Sequence, residues 1–81
     1  MPTKTLIKQT LTTARKRYGR LPMKIWHALL KEDIWRAYVI NTENGVVMAR
    51  GPFSPSATES VVSLKLMLHT EVLKKASSGD V

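Results

Sequence analysis

The chain has 81 residues, a formal net charge of +7 and no cysteine. A chain this short is one domain that buries roughly 60–65% of the surface its unfolded form exposes, so its stability is on the order of 5 kcal/mol and a deep catalytic cleft would take a large share of its core. Disulfide scaffolds, Cys-based zinc sites and thiol nucleophiles are excluded, and there is no apolar run of about 18 residues to span a membrane.

Residues 3–18 predict an amphipathic helix. Leu6, Ile7, Leu11, Ala14 and Tyr18 recur at three- and four-residue steps. Lys4, Lys8 and Arg15 lie on another face, with Lys16 and Arg17 beside them. Gly19 suits a left-handed stop, and the cations at 15–17 favour the negative end of the helix. Residues 20–22 are a connector.

Residues 23–30 fit two readings. As a strand, Ile25, His27 and Leu29 face one way, and Met23, Trp26, Ala28 and Leu30 mostly the other. As a helix, Pro22 sits in the first turn, and Met23, Trp26 and Leu30 share a face. The strand is preferred, with Lys31-Glu32-Asp33 as the turn that follows.

Residues 34–41 are rich in Trp, Tyr, Val and Ile and predict a strand. Thr42-Glu43-Asn44-Gly45 is a tight turn with Gly where φ must be positive, and residues 46–50 return as the other half of a hairpin. Trp35, Ala37 and Val39 take one face; Ile34, Tyr38 and Ile40 take the other. Both faces are largely apolar, so one meets helices and the other is covered or left sticky. Met23, Met48 and Met67 read as core fillers.

Gly51-Pro52-Phe53-Ser54-Pro55 is a loop. Ser56-Ala57-Thr58-Glu59 fits a capping box, and a helix follows to about residue 76. Ala57, Val61, Leu64, Leu68 and Val72 form its stripe, widened by Val62, Leu66 and Leu73. Glu71 and Lys75 are spaced as a favourable pair. Residues 77–81 are small and polar and are expected to form a flexible tail. The expected fold is therefore α+β over residues 1–76, in the order α-β-β-β-α: an antiparallel sheet with two helices packed on one face. The runner-up has three helices and a two-stranded hairpin.

Neither His27 nor His69 has metal-ligand spacing or a nucleophile–base partner, and no phosphate-cradling glycine pattern occurs. The expectation is a non-enzymatic binding module with no cofactor. Its charge is lopsided. Residues 1–31 hold Lys4, Lys8, Arg15, Lys16, Arg17, Arg20, Lys24 and Lys31 with no acid, whereas residues 32–81 carry a small negative excess. Such a run attracts polyanions. The candidate nucleic-acid-binding residues are Lys4, Lys8, Arg15, Lys16, Arg17, Arg20 and Lys24, with RNA favoured over DNA. Trp26, Trp35, Tyr38 and Phe53 would stack on bases if the sheet exposes them. In a domain this small Trp more often anchors a core, and Trp35 and Trp26 are expected there. The alternative is a protein-interaction or dimerisation module using the spare sheet face or the last helix. The absence of Cys and of a secretory signal suits the cytoplasm. The acid-free residues 1–22 also suit a mitochondrial transit peptide, though the helix is apolar enough to join a core.

The order of elements, and the stretch Trp35-Arg-Ala-Tyr-Val-Ile to Gly45-Val-Val-Met-Ala-Arg-Gly51 before a long helix, resemble a double-stranded RNA-binding domain over residues 3–76. The resemblance implies an RNA-binding α-β-β-β-α fold. Where that family carries a Lys-Lys-x-Ala-Lys run this chain reads Ser56-Ala57-Thr58-Glu59-Ser60, and where the family's first loop carries a His it reads Lys31-Glu32-Asp33. Family variants without those residues often serve as protein-interaction modules, which the resemblance implies as the second possibility.

Overall fold

The computed structural model describes residues 2–79. Its first helix, α1 (Lys4–Tyr18), starts where Thr3 accepts a hydrogen bond from the Leu6 N–H at 3.1 Å, occupying one of the free donors of the first turn. It stops at Gly19, which takes φ 86° and donates its N–H to the Arg15 carbonyl at 2.8 Å.

Residues 23–30 are strand, not helix. β1 (Met23–Lys31) pairs antiparallel with β2 (Ile34–Asn41), from Met23 opposite Asn41 to Lys31 opposite Ile34. That ladder satisfies the β1 backbone along one edge, which outweighs the helical spacing of Met23, Trp26 and Leu30. Glu32 and Asp33 make the turn, with Asp33 at φ 57°, and the register slips at Leu30 just before it. β3 (Val47–Arg50) pairs with the other edge of β2, giving the order β1-β2-β3. Their turn is held by two Asn side chains: Asn41 Oδ1 accepts from the Glu43 N–H at 2.8 Å, and Asn44 Oδ1 from the Val46 N–H at 3.0 Å. Gly45 takes φ 74° there, as the turn reading requires.

The last helix, α2 (Ala57–Gly79), begins with Ser56 Oγ accepting from the Glu59 N–H at 3.2 Å. It runs past residue 76, so Ser77, Ser78 and Gly79, expected in the tail, are helical; Asp80 and Val81 lie outside the described residues. The α-β-β-β-α order is as the sequence implies.

The core is Ala14 of α1, Ala37 and Val39 of β2, and Val61, Leu64 and Leu68 of α2, all without solvent exposure. Leu6, Ile7, Tyr18 and Met67 pack on it from the helices, and Met23, Ile25, Met48 and Ala49 from the sheet. Both helices therefore cover one face of the sheet. Small groups let the layers close. Thr10 and Ser60 are fully buried, and their hydroxyls donate back to the Leu6 and Ala57 carbonyls at 2.8 and 2.6 Å, so neither is left unpaired. Met23 shares the helix-covered face with Ile25 rather than opposing it, because strand side chains alternate with period two. Val62, Leu66 and Leu73 do not widen the core stripe; all three are exposed.

Candidate nucleic-acid interface

Of the seven candidate cations, three share a ridge. At 100° per residue, Lys4, Lys8 and Arg15 fall within about 40° of one another around α1 and span roughly 16 Å along it. All three are exposed. Thr10 and Ala14, on the other side of the helix, are the residues it buries. Lys16, also exposed, lies about 100° round from Arg15. None of these four has a carboxylate within salt-bridge distance among the described residues.

Arg17 points elsewhere. Its Nε lies 3.5 Å from the Glu71 carboxylate on α2, and its guanidinium sits 5.1 Å from the centre of the Tyr18 ring. Glu71 is thus engaged across the helix pair rather than with Lys75 along its own helix. Tyr18 donates its hydroxyl to the Met48 carbonyl at 3.2 Å. Burial, helped by Glu71 and opposed by Arg17, pushes the Tyr18 phenol above its usual range. A further contact joins α1 to α2, with Lys65 Nζ donating to Gln9 Oε1 at 2.9 Å. Arg20 is exposed in the connector. Lys24 lies opposite Ile40 on the sheet face that the helices leave open, so it is apart from the ridge.

That open face carries a second concentration of aromatic and cationic groups. Trp26 pairs with Tyr38, and Tyr38 with Arg50, forming one row across the three strands. The Trp26 and Tyr38 rings lie 6.0 Å apart and tilted by 45°. In the next row Arg36 lies opposite Ala28, donates from Nε to the Gly51 carbonyl at 2.8 Å, and covers the Phe53 ring at 4.7 Å. Trp26 is 54% exposed and Phe53 64%, so Trp26 is not the core anchor its size suggested. Trp35 is half-buried on the helix side, 5.9 Å from His27. Arg36 and Arg50 stand outside the cationic run of the first 31 residues. Period-two alternation puts Arg36 on the Tyr38 face, whereas Arg50 joins that face only by its pairing across strands.

At the turn end of this face an apolar hollow of about 490 Å³ is lined by Leu30, Ile34, Phe53 and Pro55, with Asp33 at its rim. His27 Nδ1 is buried with no hydrogen-bond partner among the described residues. Among those residues no three His, Asp or Glu side chains converge as metal ligands, and no helix is long and apolar enough to cross a membrane. No family model, curated protein or solved structure matches the chain.

Proposed function

We propose that this chain is a small non-enzymatic module that binds nucleic acid, RNA ahead of DNA, through α1. One observation carries the reading: Lys4, Lys8 and Arg15 stand on a single solvent-facing ridge with no carboxylate to neutralise them among the described residues. Cations so placed meet a phosphate backbone together and release its counterions. The α-β-β-β-α order is the one implied by the resemblance to double-stranded RNA-binding domains, which favours RNA. With Ser56 to Ser60 uncharged except for Glu59, the start of α2 supplies no cation, and α1 takes that role. The cytoplasm is the proposed compartment. Leu6, Ile7 and Ala14 contribute to the core, so cleaving residues 1–22 as a leader would open it.

The test is the salt dependence of RNA affinity in the intact protein and in a Lys4→Ala/Lys8→Ala/Arg15→Ala variant. Each phosphate contact adds about 0.7–0.9 to the slope of log affinity against log salt, so the variant should lose roughly 2–3 from that slope. Arg17→Ala, which removes a cation already held by Glu71, should lose less. An unchanged slope in the triple variant would refute the assignment.

A protein-interaction role is favoured by a different observation. Val62, Leu66 and Leu73 fall along one side of α2 and are 38%, 60% and 56% exposed. If this stripe drives self-association, light scattering will show a mass that rises with concentration, and Leu66→Glu will abolish the rise.

A further inference from the structure

The open sheet face is chemically unlike the helix ridge. On its three strands the outward positions hold Lys24, Trp26, Arg36, Tyr38 and Arg50, three cations and two large rings, set among the apolar Ala28, Ile34, Ile40 and Val47, with no acid. Phe53, in the loop after β3, adds a third ring beside Arg36. Asp33 and Glu32 are confined to the hairpin turn at one end. None of the three cations has a carboxylate partner among the described residues.

Three cations without acid partners are costly on a face that covers a protein core or a lipid. Here Lys24, Arg36 and Arg50 stand around the rings of Trp26, Tyr38 and Phe53, a combination that accepts bases on the rings while the backbone runs past the cations. The spacing suits it. The Trp26 and Tyr38 ring centres lie 6.0 Å apart on neighbouring strands and Phe53 sits beside Arg36 in the loop after β3, so the rings present more than one stacking site. A duplex hides those base faces in its stack, whereas RNA commonly presents them in loops and unpaired ends.

We propose that the open face of the sheet is a docking platform for single-stranded RNA, with Trp26, Tyr38 and Phe53 stacking on bases and Lys24, Arg36 and Arg50 meeting phosphates. The apolar hollow formed by Leu30, Ile34, Phe53 and Pro55 receives a further base at the end of the track. Arg36 has a double role there: its bond to the Gly51 carbonyl and its seat on the Phe53 ring hold that ring in place. The proposal rests on the reading of this chain as a nucleic-acid-binding module and adds to it which strandedness the second surface selects.

The experiment uses the full chain, a labelled unstructured RNA of roughly ten nucleotides and an RNA duplex of the same length. The variants are Trp26→Ala, Phe53→Ala, Trp26→Phe and the Lys4/Lys8/Arg15 triple. Trp26 and Phe53 are mostly exposed, and an amide spectrum of each variant checks that the fold is kept. Loss of one stacked base weakens single-strand binding by roughly 5- to 150-fold. The expected result is that loss for Trp26→Ala and Phe53→Ala, recovery toward the parent for Trp26→Phe, little change in duplex affinity, and quenching of tryptophan fluorescence by the single strand. Folded Trp26→Ala and Phe53→Ala variants that bind the single strand as the parent does would overturn the platform, as would equal losses on duplex and single strand. If the parent binds neither RNA, the nucleic-acid reading itself fails. If the parent binds and only the helix triple weakens it, that reading stands and the platform falls.

Discussion

Gly51 is the point where the loop after β3 passes closest to α2. A Cβ built on it would lie 3.1 Å from the Leu64 Cβ, 3.3 Å from its Cα and 3.4 Å from its amide nitrogen. These are atoms of the helix backbone and the first side-chain carbon, which no rotamer change can move, and Leu64 has no solvent exposure. Gly51→Ala therefore forces loop and helix apart by a few tenths of an ångström. Overpacking of this kind costs about 1–3 kcal/mol. Gly51 does not have a positive φ, so alanine also restricts the unfolded chain and returns about 0.4–1 kcal/mol. The net expectation is a loss of about 1–2 kcal/mol, which in a domain of this size lowers Tm by about 4–16 °C. Thermal melts followed by circular dichroism measure it directly. The same variant shifts the carbonyl that holds Arg36, so the loop carrying Phe53 moves with it. A Tm equal to or above the parent would show that the loop and α2 are not in the tight contact described, and with it that Phe53 is not anchored through this point.

Glu71→Gln releases Arg17 and removes an anion beside the basic helix; RNA affinity at low salt should rise several-fold, while stability changes by less than about 1 kcal/mol because the pair is exposed. Tyr18 has a folded pKa above its ordinary 10.0, so its contribution to stability is present below pH 10 and is lost as pH rises through the folded value. An absorbance titration of Tyr38→Phe, which leaves Tyr18 as the one tyrosine, should ionise above 10.0, and adding Glu71→Gln should bring it down. Gly45→Ala places a Cβ at φ 74° in the β2–β3 turn and should cost about 1–2 kcal/mol by urea unfolding, although nothing crowds the site.

Much of the architecture could be read from local patterns. Thr3 and Gly19 bracket α1, Asn44-Gly45 marks the β2–β3 hairpin and Ser56 opens α2, because caps and turns depend on residues close in sequence. What sequence left open depended on contacts between distant residues. Residues 23–30 carry both periodicities, and the ladder to β2 decided between them. Trp26 and the stripe of Val62, Leu66 and Leu73 read as core by size and hydropathy, yet the helices cover only one face of the sheet and α2 buries only one of its sides. The cationic run split for the same reason. Lys4, Lys8 and Arg15 stay together because one helix carries them, Arg17 is drawn off by an acid 54 residues away on α2, and Lys24 turns out on the far side of the sheet.

β1 is an outer strand, with neighbours on one side only. It is nine residues long and presents Trp26, Leu29 and Leu30 to solvent, the profile of a strand that recruits others of its kind. Lys24 and Lys31 near its ends and the slipped register at Leu30 guard it, and the +7 net charge keeps copies apart. A polyanion added to charge equivalence withdraws that mutual repulsion while the bare edge remains. Turbidity should therefore peak near neutralising stoichiometry and clear again in excess ligand, and purification in moderate salt is the gentler route.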